Sequence, residues 1–461
     1  MDSLLTRNRS RSCFLVSLIM VFSLLLLGTW GRSPALGDGL LSNLKLAPKD
    51  PGPPIFDLED LSALASEPTG QSSLLLNPLP TNAFRENLRR DLQYITTWPA
   101  NGWSNQVIEF MNMIYIAQLT HRVPIIPRFR PVHINNENAS HLDFGDVFDV
   151  PLLSQTLGMP ILEWREVKDA ASETLEELGC WDIQDKTWER ERLYLEAPPN
   201  LKLDLSYTLA PAWVRSATDG GEDPSTLLWS VAALLSFPHW KSLPVKPSPV
   251  HQAALPPDEH LACSNNLYWG IQNLEDEEDH APAWHAVGRH IQWRSEVRDV
   301  GTRFIRETLG VEDGEVIPPY IAIHVRRGDF SIWCRIRYHK PLSQCFAPLS
   351  AYARRVEEVK AEIWERRRIR VKEVIMTSDE GNTQWWDEVG KLGWRRVDHS
   401  TTVERFGHWY PILVDAFLQS EAVGFVGTAT STVSILARRR VESMGGASSM
   451  VKWGKEEADD H

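Results

Sequence analysis

Tyr320-Ile321-Ala322-Ile323-His324-Val325-Arg326-Arg327-Gly328-Asp329 is an apolar run that stops abruptly at two arginines, a glycine and an aspartate. A short apolar run bounded by a turn signal predicts a buried strand, here Tyr320 to Val325. Two runs of the same kind follow it. Val371 to Met376 ends at Thr377-Ser378-Asp379-Glu380, and Ala422 to Val426 runs into Gly427-Thr428-Ala429-Thr430-Ser431-Thr432. Helical periods lie between and after them. Ser350 is placed to cap a helix with Tyr352, Val356, Val359 and Ile363 on its apolar face; others are expected over Ile412 to Leu418 and up to Arg438-Arg439-Arg440. Strands alternating with helices predict an α/β fold with a parallel sheet, whose ligands bind beyond the carboxyl ends of the strands. All three polar loops fall at such ends.

Arg326 follows directly on a buried strand, where an unpaired guanidinium is costly. It needs an anionic partner, and a pyrophosphate matches its bidentate fork; a salt bridge to Asp329 is the alternative. The hydroxyl-rich turn Gly427 to Thr432 opens a helix, whose amino terminus suits phosphate if it is more than a cap. The chain has no Gly-x-Gly-x-x-Gly after a strand and no Gly-x-x-x-x-Gly-Lys-Ser/Thr, which disfavours dinucleotide oxidoreductases and P-loop phosphotransferases. It also lacks Asp-x-Asp, the commonest way of holding a divalent ion against a sugar nucleotide; if a diphosphate leaves here, arginine and helix amino termini must stabilise its charge in place of a metal.

Upstream, Asn101-Gly102-Trp103-Ser104-Asn105-Gln106 reads as a loop, followed by a helix face of Val107, Ile108, Met111, Ile114, Tyr115 and Leu119. Val123-Pro124-Ile125-Ile126-Pro127 reads as a short strand, completing one loop–helix–strand unit of an α/β fold. The stretch from Asp143 to Pro282 carries Pro-rich turns and an acidic run, Glu275 to Asp279, that reads as a solvated face.

Over 461 residues, two or three domains are expected. The boundaries read as a cytosolic tail 1–12, a transmembrane signal anchor 13–30, a flexible stem 31–83, an N-terminal domain 84–300 and a C-terminal domain 301–461. The anchor rests on Arg7, Arg9 and Arg11 preceding an uncharged run from Cys13 to Trp30, ~27 Å long as a helix. A signal peptide cleaved near Ala35-Leu36-Gly37 is the alternative; both readings send the rest into the lumen of the Golgi or endoplasmic reticulum, and the anchored one makes a single-pass type II membrane protein. Beyond Cys13 the cysteines form an even set allowing three pairings. Cys334 with Cys345 closes a short loop and is the favoured bridge, leaving Cys180 with Cys263, and their spacing fits no zinc site. Asn138-Ala139-Ser140 is an N-glycosylation sequon. A net charge of −13 argues against nucleic acid as a partner, and 19 tryptophans tilt the surface toward sugars.

Three stretches together resemble the GDP-fucose-dependent O-fucosyltransferase superfamily. Gly102 to Gln106 is similar to its Gly-x-x-Asn-Gln element, and Ile323 to Phe330 to its His-x-Arg-Arg-Gly-Asp-Phe signature. Val414 to Leu418 with Phe425 to Thr432 is similar to its carboxyl-terminal nucleotide element. The resemblance implies a GT-B fold, two Rossmann-like domains facing a cleft, and metal-free, inverting transfer of fucose from GDP-fucose to a hydroxyl of a protein or glycan acceptor. It also implies a donor site. Gly102 and Asn105 would lie near the sugar, His324 would contact the nucleotide, and Arg326 would bind the β-phosphate. Asp415 would help read guanine, Ser431 and Thr432 would hold phosphate, and Asp379 matches an acidic position of the family. Some relatives carry a Glu base in the glycine loop, whereas Asn101 to Gln106 has no carboxylate. Glu109 lies a turn further on and should face away, which leaves Asp329 as the local substitute. A catalytically degenerate GDP-sugar-binding protein is the competing reading.

Overall fold

The computed structural model describes residues 74–77, 80–99, 101–134, 139–183, 198–214, 228–237, 243–265, 267–268 and 281–454. All belong to one compact unit, Pro54–His461; the unit Met1–Pro53 lies outside the described residues. The first sheet contains β1 (Tyr94–Trp98), β2 (Val123–Ile126), β3 (Leu162–Glu163), β4 (Glu176–Asp182), β5 (Leu203–Leu209), β6 (Val245–Lys246) and β7 (Leu261–Asn265). Its order is β3-β2-β1-β7-β4-β5-β6, parallel except for β6 at the edge. The second contains β8 (Tyr320–Val325), β9 (Glu373–Ser378), β10 (Arg395–Arg396), β11 (Gly424–Thr428) and β12 (Ala447–Val451). It is parallel throughout, in the order β10-β9-β8-β11-β12.

The apolar run that opens the sequence argument is β8, with all six residues buried. A parallel strand covered on both faces must be apolar on both, which explains why this run lacks the alternation of a half-exposed strand. Ile321, Ile323 and Val325 pack with Tyr352, Val356, Val359 and Ile363 of one helix, Leu349–Arg367. Tyr320 and Ala322 point the other way, into the cluster that contains Leu413, Phe417 and Leu418.

Six helices position the site: α1 (Trp103–Thr120), α2 (Ser295–Leu309), α3 (Phe330–Ile336), α4 (Leu349–Arg367), α5 (Tyr410–Ser420) and α6 (Thr432–Ser443). One aromatic chain runs through the core from the first sheet to the second. Trp103 stacks on Trp293 at 6.0 Å between ring centroids, and Trp293 meets the edge of Phe417 on α5 at 5.9 Å. Phe417 reaches this position because Gly301 of α2 has no side chain; a Cβ there would stand 2.2 Å from the ring. Fixing Trp103 in this way also fixes the loop in front of it.

Both expected disulfides are present, Cys334–Cys345 and Cys180–Cys263, with Cα–Cα distances of 5.8 and 4.8 Å. The first closes a loop just after the signature, and the second ties β4 to β7. Ser350 does not cap its helix: α4 begins one residue earlier, at Leu349, behind Pro348, and no side chain caps it. Pro348 occupies the N-cap position in an extended conformation, which leaves Ser350 inside the first turn, where it cannot act as the cap. Leu75 and Leu76, read as stem, are buried, and the hydroxyl of Tyr94 donates to the Leu75 carbonyl at 2.6 Å.

The expected span Cys13 to Trp30, the acidic run Glu275 to Asp279 and the sequon at Asn138 lie outside the described residues. The expectation of a single-pass membrane protein of the Golgi or endoplasmic reticulum is corrected. Among the described residues, no helix is long and apolar enough to cross a membrane. The two longest, α1 and α4, are interrupted by polar residues, Glu109, Asn112 and Gln118 in α1 and a series of Arg and Glu in α4.

Candidate active site

The carboxyl ends of β8, β9 and β11 meet in one network centred on the hydroxyl of Thr428. Its Oγ1 donates to the His324 carbonyl at 3.1 Å, accepts the Arg326 N–H at 3.0 Å and is hydrogen-bonded to the Tyr352 hydroxyl at 2.9 Å. Ser434, in the first turn of α6, accepts the Thr428 N–H at 3.0 Å and is bonded to His324 Nδ1 at 2.8 Å. His324 is therefore buried and fixed at its ring. Burial, with the neighbouring Arg326, pushes its pKa down to about 4, so the imidazole is neutral near pH 7.

Arg326 stands between two carboxylates. Its Nε lies 2.8 Å from Asp329 Oδ1 and Nη1 lies 2.9 Å from Asp379 Oδ2. The salt bridge to Asp329 that the sequence allowed as an alternative is thus formed, and Asp379 joins it. The other oxygen of Asp379 accepts the Arg327 N–H at 2.7 Å. Gly328 permits this approach, since a Cβ there would stand 2.7 Å from Asp379 Oδ2. Arg327 turns the opposite way, to Glu380 at 2.6 Å and over the rings of Phe346 and Trp385. The two adjacent arginines therefore differ: Arg327 anchors the loop and Arg326 is held between Asp329 and Asp379.

The glycine loop arrives from the first sheet. Gly102 is the extended residue before α1, and its carbonyl accepts the N–H groups of Asn105 and Gln106 at 3.0 and 3.2 Å. Gln106 ties the loop down: Nε2 donates to the carbonyls of Asn101 and Arg130, and Oε1 accepts the Arg130 N–H. Asn105 is left to face the second sheet, where Oδ1 accepts from the Thr432 hydroxyl at the start of α6. Ser104 Oγ is 2.8 Å from the same hydroxyl. Ser431 precedes the helix, and its side chain does not cap it. Thr430 has φ 65°, an uncommon conformation for a β-branched residue, and the Trp453 indole N–H reaches both its hydroxyl and the Ala429 carbonyl.

Asp415, on α5, accepts from His399 Nε2 at 2.9 Å, and its charge also acts on His324. Burial alone would lower the pKa of His399, but the hydrogen bond and charge of Asp415 outweigh it and the net shift is upward. Glu109 is wholly buried and accepts from the Thr97 hydroxyl at 2.6 Å, facing the sheet and not the loop.

Of the residues expected at the site, Asn105, His324, Arg326, Asp329, Asp379 and Thr432 come together, with Gly102 and Ser431 at the two loop–helix junctions and Asp415 behind His324. Thr428, Ser434, Ser104 and His399 were missed as individual residues. Thr428 lay within a turn read for its hydroxyl content, but nothing in sequence distinguishes its inward hydroxyl from that of its neighbours. Ser434 and His399 carry no local signal at all. Glu177, Asp204 and His251 place ligand atoms within 4.8 Å of one another, but Glu177 and Asp204 sit near the amino ends of β4 and β5, the opposite edge from the loops of the site. A metal held there could not reach a ligand at Arg326.

A family model described as GDP-fucose protein O-fucosyltransferase matches residues 94–378, well over half of the chain. No curated protein sequence matches significantly. Among solved structures, POFUT1 in complex with GDP-fucose is similar with a TM-score of 0.50 and 14% identity, covering 78% of this chain and 98% of that one. The fucosyltransferase NodZ from Bradyrhizobium gives a TM-score of 0.40 and 15% identity, with 75% and 92% covered. At such identity the first speaks to fold alone, and the second carries no argument. The family match spans the glycine loop, the signature strand and the end of β9: the chain belongs to the GDP-fucose protein O-fucosyltransferase family and is a fucosyltransferase.

Proposed function

We propose that the cleft between the glycine loop and the loops after β8, β9 and β11 transfers fucose from GDP-fucose to a hydroxyl acceptor, with inversion and without a metal. The observation that carries the reading is the position of Arg326, a guanidinium oriented by two carboxylates at the mouth of a buried strand. It stands in the same network as the start of α6. In this reading the acceptor oxygen attacks the anomeric carbon from the face opposite the leaving group. The bond to the β-phosphate oxygen breaks, and its electron pair leaves with GDP. Arg326, the Ser431 and Thr432 hydroxyls and the free N–H groups at the start of α6 receive that charge. Neutral His324 contacts the nucleotide, Asp415 reads guanine from a carboxylate steadied by His399, and Gly102 lets the donor approach the backbone beside Asn105. As the diphosphate engages Arg326, Asp329 is released from it and takes the proton of the acceptor hydroxyl.

The degenerate, binding-only reading has one observation in its favour: no carboxylate lies in the glycine loop, and Asp329 is engaged by Arg326. Incubating the protein with GDP-fucose alone separates the two. Release of free fucose and GDP supports a working donor site, and tight GDP binding with no release over hours supports the degenerate reading.

A further inference from the structure

Trp453 lies just beyond β12, is buried, and belongs to none of the motifs read from the sequence. Its ring packs with Phe346 and the Cys334–Cys345 bridge in a small cluster of its own, and it stacks on Phe330 at 4.3 Å between centroids. Phe330 opens α3 and directly follows Asp329. Tyr338 packs against the ring at near right angles, 5.4 Å away, and the Gly454 N–H donates to the Cys345 carbonyl at 2.8 Å, so ring and backbone are both fixed. The fixed ring aims its single N–H at the turn that follows β11. The Ser431 N–H closes that turn on the Thr428 carbonyl at 3.2 Å, and the Ala429 N–H extends the ladder to the Val451 carbonyl at 2.9 Å. Thr430, the third residue of the turn, has φ 65°. Turns with a positive φ at this position favour glycine or asparagine, and for a β-branched residue the conformation is strained. Something must hold it. Trp453 Nε1–H is shared between the Ala429 carbonyl at 2.9 Å and the Thr430 hydroxyl at 3.2 Å, the groups on either side of the strained bond. Held in this way, the turn hands the chain to an extended Ser431 and so to the first turn of α6.

We propose that Trp453 is a positioning residue for the diphosphate of the donor: its indole N–H holds the left-handed conformation of Thr430, and through it aims Ser431, Thr432 and the start of α6 at the leaving group. The proposal rests on the fucosyltransferase reading of the cleft, which it deepens by naming what keeps the phosphate end of that site in shape. Trp453 acts through the turn and not on the reacting atoms. Its two parts do different work. The ring, stacked on Phe330, ties the turn to the loop that carries Asp329, whereas the N–H sets the conformation of the turn itself. A group misplaced by about 1 Å can cost up to about a hundredfold in rate, so a turn that relaxes at Thr430 weakens every contact the start of α6 offers to a phosphate.

The test separates the N–H from the ring. Trp453→Phe keeps an aromatic ring beside Phe330 and removes the donor. Affinity for GDP is read by calorimetry on the full chain, with guanosine as the probe that makes no phosphate contact, and thermal midpoints are taken on the same preparations. Trp453→Phe should weaken GDP about tenfold and leave guanosine within about twofold. In a Thr430→Gly background, where glycine adopts the positive φ unaided, the same substitution should cost less than about threefold. A tryptophan that only fills its cluster gives the same loss in both backgrounds and for both ligands. Unchanged GDP binding, equal losses for GDP and guanosine, or no relief from Thr430→Gly each overturn the proposal. Should Trp453→Phe fail to fold, Thr430→Val decides. It keeps the β-branched shape at an exposed position and removes one partner of the N–H, and it should bind GDP at least about threefold more weakly than Thr430→Gly; equal affinities overturn the proposal. Wild-type protein that binds GDP no better than guanosine rejects the donor reading and the positioning role with it. Wild-type protein that binds GDP tightly, with Trp453→Phe unaffected, rejects the positioning role alone.

Discussion

Replacing Thr428 by Val removes one oxygen and almost no volume, yet it strikes the junction on which β8, β11 and α4 converge. Thr428 is 1% exposed, and its hydroxyl serves His324, Arg326 and Tyr352 at once, at 3.1, 3.0 and 2.9 Å. Valine takes that partner from the part-buried Arg326 N–H and the buried Tyr352 hydroxyl, each at roughly 1–3 kcal/mol. The expected loss is therefore about 2–6 kcal/mol in a urea unfolding series. Thr428→Ser keeps the oxygen and should cost no more than about 1 kcal/mol, the value of a small core deletion. A double-mutant cycle with Tyr352→Phe should recover a coupling of about 0.5–1.5 kcal/mol, because both substitutions remove the same bond. Release of fucose from GDP-fucose should fall as well, since the backbone that aims Arg326 loses its anchor. A Thr428→Val protein within about 0.5 kcal/mol of wild type would refute the argument that this hydroxyl organises the site.

Three shorter predictions accompany it. Because the pKa of His324 is depressed in the folded protein from the ordinary 6.5 to about 4, its contribution to stability is complete above pH 6.5 and is lost as pH falls toward 4. About 3 kcal/mol should disappear over that window and much less in His324→Asn, as read by unfolding at several pH values. EDTA should leave fucose transfer intact, and loss of activity that manganese restores would reject leaving-group stabilisation by Arg326 and α6. Removing the Cys334–Cys345 bridge with paired serines should lower stability by roughly 2–4 kcal/mol, read as a shift in the urea midpoint.

The second sheet was legible because its strands are buried on both faces, and a continuous apolar run ending in polar residues has few other readings. Tyr320–Val325 was read to the residue, and the strands ending near Asp379 and Thr428 were placed within about two residues. The pairing order was not legible, because nothing local tells β8 to sit between β9 and β11. In the first sheet only β2 was read; β1 and β3 were missed, and so were β4 to β7. Their stretch is broken by Pro-rich turns, and their pairing is fixed at long range, including the bridge from Cys180 to Cys263. At the site, the signature displayed Arg326 but not its two carboxylate neighbours as a pair. Asp329 is three residues away and could be guessed, whereas Asp379 arrives from another strand through the space left by Gly328.

The central claim is that Arg326 carries the charge of departing GDP, and turnover of Arg326→Ala tests it most directly. Removing one preorganised donor from a developing anion typically costs ~3 kcal/mol or more, so kcat for release or transfer of fucose should fall at least about a hundredfold. Arg326→Lys should recover only part of that, because lysine lacks the planar fork. The substitution also leaves Asp329 and Asp379 without their shared cation, so the thermal midpoint must be measured on the same preparations as turnover. The account predicts a folded Arg326→Ala protein that binds GDP and barely turns over; a folded protein with near-normal kcat would contradict it.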